Sequence, residues 1–310
     1  MLIDETLSNS GCFALLFCVD HFGYLNSYIS FTVKKPDKQA LLKAQPKLVA
    51  AIGGEKANPL REPMNVVVDE RTDKIYVADT GNNRIAVFDK VGTFQFSFGA
   101  KGIGEGLFSY PYGLLITEAR TLWVSDPTNR SIQEFSLEGK FKRTVFYGSD
   151  GTKPGMLTAK DKEILVADLA RGQIVVLDSS GKVKKESFDQ SVVIAHPQGM
   201  AVDSKGRLWV ADEKTAEIKM LAAGAAPVTI KDSASQTSAL VRGLAVDTLD
   251  RVWATEPLTG RIRVLDDQGN LLFFLNAKTP LSFPMGIFIS KSKAVFVAER
   301  GGNVVRVWQY

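Results

Sequence analysis

The sequence predicts an all-β fold, a six-bladed β-propeller with four antiparallel strands per blade. Three observations carry the prediction. An acidic residue closes a short β-branched run six times, at Asp79 (KIYVAD), Asp126 (TLWVSD), Asp168 (EILVAD), Asp212 (RLWVAD), Glu256 (RVWATE) and Glu299 (AVFVAE), at intervals of 42 to 47 residues. Six residues after each acid an apolar side chain opens the next run, at Ile85, Ile132, Ile174, Ile218, Ile262 and Val305. Upstream, a small or turn-forming residue opens an earlier run at Asn65, Gly113, Gly155, Gly199, Gly243 and Gly286 in the same register.

Each repeat reads as strands a to d from the centre outward. In the first copy these are NVVVD, KIYVAD, RIAVFD and TFQFSFG, joined by the turns ERTD, TGNN and KVG. Short β-branched and aromatic runs bounded by Gly, Asn and Asp are hairpin signals. One such sheet cannot bury both of its faces, whereas six around an axis cover one another and leave only short edges. The innermost strands crowd together there, so a residue without a side chain is expected where five of the six a strands begin. The sixth copy runs PMGIFIS, AVFVAE, VVRVWQY and has no outer strand, while KLVAAIGG at 47–54 precedes the first copy and matches TFQFSFG in pattern. Residues 47–52 are therefore expected to complete the last blade with an N-terminal strand, which removes an open edge. Copy four is the least regular, because DEKTAEI lacks the Asn-Arg pair and LAAGAAP replaces the c–d glycine hairpin.

The 310 residues carry 38 basic and 34 acidic side chains, a formal charge of +4 without a dense basic tract, which gives nucleic-acid binding weak support. Cys12 and Cys18 are the only cysteines, so the rest of the chain holds no thiol nucleophile, thiolate metal site or disulfide framework. Two parts are expected: an extension over 1–46, with a degenerate hydrophobic segment at 11–33 and a linker between Pro36 and Pro46, and the propeller over 47–310. Asp20, His21 and Asn26 interrupt the hydrophobic segment, although a spanning helix needs about 20 predominantly apolar residues. The preceding MLIDETLSNS has Asp4 and Glu5 but no basic residue, unlike the start of a secretory signal. Lys34 and Lys35 fit a cytoplasmic flank. Two readings stand: a membrane tether or export segment, implying an extracytoplasmic or membrane-tethered chain, or a frayed or partner-dependent extension.

The segment VADTGNNRIAVFD at 77–89, followed by FGAKGIGEGLFSYPYG at 98–113, resembles an NHL repeat, and the resemblance covers roughly residues 47–310. It implies a surface that binds proteins, RNA or glycans, and a few members of the family are lyases. Fold therefore does not settle function.

Among the candidate residues, the six acids are expected to be structural, each accepting backbone N–H bonds in its own turn. None pairs with a local His or second acid in the way a hydrolytic metal site requires, so no metal site and no cofactor are expected. Arg84, Arg130, Arg171, Arg261 and Arg300 fall in the b–c turns, and Arg61 and Arg242 in the connectors before strand a. Both sets of loops reach one face, which would attract phosphate, carboxylate or an acidic partner. The opposing reading is that each arginine braces the acid of its own turn. Tyr110, Tyr112, His196 and Phe283 also precede strand a. Aromatic residues beside arginine are typical of recognition surfaces, though packing is the expected role of Phe283. His196 is the only imidazole of the propeller and would be the general base of a lyase. No amphipathic helix follows GAKGIGEG at 99–106, so that run is a connector and not a phosphate loop. The expected function is a monomeric, non-catalytic binding or scaffolding propeller presenting its Arg-bearing face to a protein, glycan or other anionic ligand. A metal-assisted lyase or hydrolase and an RNA-binding domain are the alternatives.

Overall fold

A strand that is apolar at nearly every position needs a covering layer on both faces. The computed structural model, which describes residues 3–8, 11–19, 25–33, 38–148, 150–185, 194–230, 240–275 and 280–310, meets that need with six four-stranded antiparallel sheets in a ring. Blade 1 comprises Asn65–Asp69, Lys74–Asp79, Arg84–Phe88 and Phe94–Phe98 as strands a to d. Blade 2 comprises Leu114–Ile116, Thr121–Asp126, Ser131–Ser136 and Phe141–Tyr147. Blade 3 follows with Pro154–Lys160, Glu163–Asp168, Gln173–Asp178 and Val183–Lys185. Blade 4, with Pro197–Val202, Leu208–Asp212, Glu217–Leu221 and Val228–Ile230, has a short outer strand where the repeat is irregular. Blade 5 is Leu244–Val246, Val252–Glu256, Arg261–Leu265 and Leu271–Leu275.

Blade 6 takes Pro284–Ile289, Ala294–Glu299 and Val304–Gln309 from the end of the chain and Lys47–Ile52 from before the first repeat. The pairing is antiparallel, with Val305 opposite Ile52 and Val307 opposite Ala50, so the ring closes as expected. Alternation along each b strand then sends successive side chains to opposite neighbours. Ile75 and Val77 pack with Phe296 and Val305 of blade 6, while Tyr76 and Ala78 pack with Leu122 and Phe135 of blade 2. The same division repeats around the ring, giving a separate apolar cluster between every adjacent pair of blades. Each fully buried Val or Ile contributes about 1.5–3 kcal/mol.

The glycines opening the inner strands have the anticipated cause. A Cβ on Gly243 would stand 2.3 Å from the Met285 carbonyl oxygen of the next blade, and one on Gly113 would stand 2.4 Å from that of Gly155. Two hydroxyls bridge neighbouring blades at this level. Ser125 accepts from the Gly113 N–H (2.8 Å) and donates to the Gly155 carbonyl (2.6 Å); Thr255 repeats the arrangement with Gly243 and Met285.

The chain divides into two compact units, Met1–Ala44 and Gln45–Tyr310. Within the first unit, Ile3–Ser8, Gly11–Val19 and Leu25–Val33 form an antiparallel sheet, and Lys38–Lys43 is a short helix. The described parts of the segment at 11–33, read as a degenerate membrane or export stretch, are thus two strands, with Cys12 opposite Val33 and Leu16 opposite Ile29. Among the described residues no helix is long and apolar enough to cross a membrane, so the helical form of the tether is not found. Asp20, His21 and residues 34–37 of the expected linker lie outside the described residues.

Candidate functional site

Strand a runs away from the connector that precedes it and strand b returns, so connectors and b–c turns meet at one end of the ring. The turn acids join these two sets of loops. Buried Asp126 accepts N–H bonds from Thr128 (3.0 Å) and Asn129 (2.9 Å) in its own turn and from Ser109 (2.7 Å) and Tyr110 (2.9 Å) in the preceding connector. Asp79 receives the Arg61 N–H, Asp168 the Lys153 N–H, Asp212 those of Ala195 and His196, and Glu299 that of Ser282. Glu256 instead faces the side chains of Thr259, Arg261 and buried Arg263. Among the described residues no cluster of three His, Cys, Asp or Glu side chains is arranged to hold a metal ion.

The arginines divide. Arg84, Arg171 and Arg261 pair with the acids of their own turns, at 2.6, 2.6 and 2.8 Å. Arg242 pairs with Glu213 and Arg300 with Glu62 (3.3 Å). Arg130 is exposed, sits at φ 54° and makes no ion pair among the described residues.

Two sets of six residues take equivalent positions in the connectors that lead to the inner strands. Met64, Tyr112, Pro154, Gln198, Arg242 and Met285 directly precede the Asn or Gly that opens each repeat, and Glu62, Tyr110, Thr152, His196, Leu240 and Phe283 stand two residues earlier. Met64, Tyr112, Met156 and Met285 cluster as a floor, with Tyr110 and Leu169 against it. Tyr110 stacks on Tyr112 with centroids 6.1 Å apart. Tyr112 is therefore buried behind Tyr110, and burial pushes its phenol up to about 12, keeping it a neutral donor to the Gln198 side-chain oxygen at 2.7 Å. Burial raises Tyr110 as well, against the opposing charge of Arg300. Gln198 and the His196 Nδ1 both reach Glu213 Oε2 at 2.8 Å, and Arg242 holds the other oxygen.

Of the residues the sequence singles out, the fold brings Tyr110, Tyr112, His196, Arg242 and Arg300 together, whereas Arg84, Arg171 and Arg261 are held in their turns. Glu213, Gln198 and Glu62 join them without having stood out in the sequence. Their signal was positional: Glu213 follows a turn acid directly, and Gln198 stands where other blades have Tyr112 and Arg242. Phe283, expected to pack, is 49% exposed, because a φ of 53° and bonds from Arg300 and Gly301 to its own loop carry it out of the core. On the other side of the floor, an axial cavity of about 1230 Å³ runs between the inner strands toward the a–b turns.

The family described as 6-bladed β-propeller matches residues 55–147. NHL repeat-containing protein 2 of Homo sapiens is 36% identical over 28% of this chain and 13% of its own length. The E3 ubiquitin-protein ligase NHLRC1 of Homo sapiens is 28% identical over 46% of this chain and 36% of its own. The alignments thus span well under two thirds of these relatives. Among solved structures, a gluconolactonase from Xanthomonas campestris superposes with TM-score 0.64 at 16% identity, covering 86% of this chain and 95% of that one. The virginiamycin B lyase from Staphylococcus aureus gives TM-score 0.61 at 14% identity, covering 86% and 89%. At such identities the structural likeness is one of fold.

Proposed function

Because the chain is an NHL-type six-bladed β-propeller, we propose that it is a non-catalytic binding or scaffolding module whose loop face holds a protein partner. The observation that carries this reading is the axial opening, where half-buried Tyr110, His196, Arg242 and Arg300 stand beside exposed Phe283. Amphipathic aromatics and arginines grouped on a rigid scaffold are the side chains from which binding hot spots are built. In this reading residues 47–310 are the working module, acting as a monomer, with 1–46 as an extension; the membrane tether is not carried into it. An anionic glycan is the alternative occupant of the same face.

Cross-linking capture from cells of the source organism tests the proposal. The intact chain is compared with an Arg242→Ala, Phe283→Ala double variant and with a Lys291→Ala control on the opposite face. The expected result is a protein partner retained by the control and lost by the double variant, with its thermal midpoint within a few degrees. Equal capture by all three refutes the reading.

One observation favours an enzyme instead. Glu213 holds the His196 Nδ1, and a carboxylate on one ring nitrogen orients the other for proton transfer. A turnover abolished by His196→Ala, with partner capture unchanged, would shift the assignment to that chemistry.

A further inference from the structure

We propose that the axial opening takes an acidic protein segment, one that inserts an aromatic or large aliphatic side chain beside a carboxylate. This rests on the reading of the loop face as the binding surface and adds what that surface selects. The two kinds of contact come from opposite sides of the opening.

Blades 6, 1 and 2 supply an apolar arc. Phe283 is half exposed at φ 53°, a left-handed conformation that bulky residues seldom adopt. Its loop is fixed by the Arg300 N–H to the Phe283 carbonyl (3.0 Å) and the Gly301 N–H to that of Ser282 (2.9 Å). Two residues on, Met285 joins Met64 and Tyr112 in the buried floor against which Tyr110 packs. Methionine adapts to apolar groups of varied shape.

Blades 4 and 5 supply a polar arc whose acceptors are already occupied. Glu213 takes Gln198 and His196 on one oxygen and Arg242 on the other, and the Gln198 oxygen takes the Tyr112 hydroxyl. The Arg242 Nε has no acceptor but is itself buried, so it is the part of the guanidinium that remains exposed, on a side chain 24% accessible, that faces a guest. A guest that completes this arc brings an acceptor.

The surrounding charge agrees. Among the described residues, Lys56, Arg61, Lys101, Arg130, Lys153 and Lys214 are exposed loop-face cations outside any ion pair, and Glu55 and Glu105 are their exposed, unpaired counterparts of opposite sign. Such an imbalance steers an acidic partner and speeds its encounter. RNA would satisfy the charge. However, Arg84, Arg171 and Arg261, which would follow a phosphate backbone, are held by buried carboxylates, and a methionine-backed arc suits an aliphatic or aromatic side chain.

Selection of random dodecapeptides displayed on phage against the immobilised full-length chain tests the inference. The expected winners carry Asp or Glu within two positions of Phe, Tyr, Trp, Leu or Met. Arg242→Gln should weaken the best free peptide by at least about tenfold. Replacing the peptide's acid by its amide should cost a similar factor in the intact chain and little further in that variant, the signature of a direct pair. Phe283→Ala should remove the apolar preference and keep the acidic one, which also shows that the chain is folded.

Winners that depend on the loop face but lack the paired preference overturn this inference and leave the binding surface standing. Winners indifferent to Arg242, Phe283 and Arg300, or no enrichment at all, overturn both. A random RNA pool that binds more tightly than every peptide and loses affinity in Arg242→Gln overturns the choice of protein.

Discussion

Replacing Asp126 by alanine should loosen the chain and its candidate site together. The carboxylate is 1% exposed and accepts four backbone N–H bonds, two from its own turn and two from Ser109 and Tyr110. A hydrogen bond to a charged group contributes about 1.5–3 kcal/mol, and a lost partner leaves buried donors to be desolvated. Four such bonds are not additive, because Ser109 and Tyr110 are half buried and regain water once released. The net loss should be about 3–5 kcal/mol, roughly a 10 °C fall in thermal midpoint for a domain of this size. Asp126→Asn should give about half of that, since one amide oxygen still accepts while the NH2 opposes two donors. Urea and thermal unfolding of the intact chain measure both. Freed from its anchor, Tyr110 no longer holds its place at the axis, so peptide affinity at 25 °C should fall while the chain remains folded. A midpoint change below about 2 °C in Asp126→Ala would refute the view that these acids join turn to connector.

Gly243→Ala should destabilise by about 1–3 kcal/mol, because its Cβ meets the Met285 carbonyl of the next blade at 2.3 Å; Gly54→Ala, whose nearest neighbour is Val304 at 3.7 Å, should be close to neutral in the same urea titration. Acid should weaken the fold partly through Asp203. Burial would raise this carboxyl, but the bonds from the Trp209 ring N–H, the Arg207 N–H and the Arg207 guanidinium outweigh it and hold it below the ordinary aspartate value. A lowered folded value means stability that is present above about pH 3.9 and lost as pH falls through that folded value. Asp203→Asn should therefore be less stable at neutral pH and show a flatter fall in urea midpoint below about pH 4, whereas an unchanged acid profile would remove Asp203 from the account.

The blades were legible in the sequence because their information is local. KIYVAD became Lys74–Asp79 and residues 47–52 became the closing strand, since period-two alternation, β-branching and turn residues act over a few positions and repetition fixes their register. The axial glycines were legible too, as backbone crowding near an axis follows from the blade count alone. Side-chain partnerships were not legible. Asp203, Arg207 and Trp209 form a bonded set that recurs as Asp247, Arg251 and Trp253, yet in the sequence their spacing carried no evident role. Nothing local told Arg84, held by Asp79, from Arg130, left exposed, or brought Glu213 between His196 and Arg242. Phe283 looked like packing and stands in solvent, because its backbone conformation is imposed by Arg300 and Gly301 from another loop. The number of blades, their strands and the closure follow from the repeat alone. Which charges neutralise one another and which face outward is settled on folding, because those pairings depend on distances between segments that the chain's own spacing does not encode.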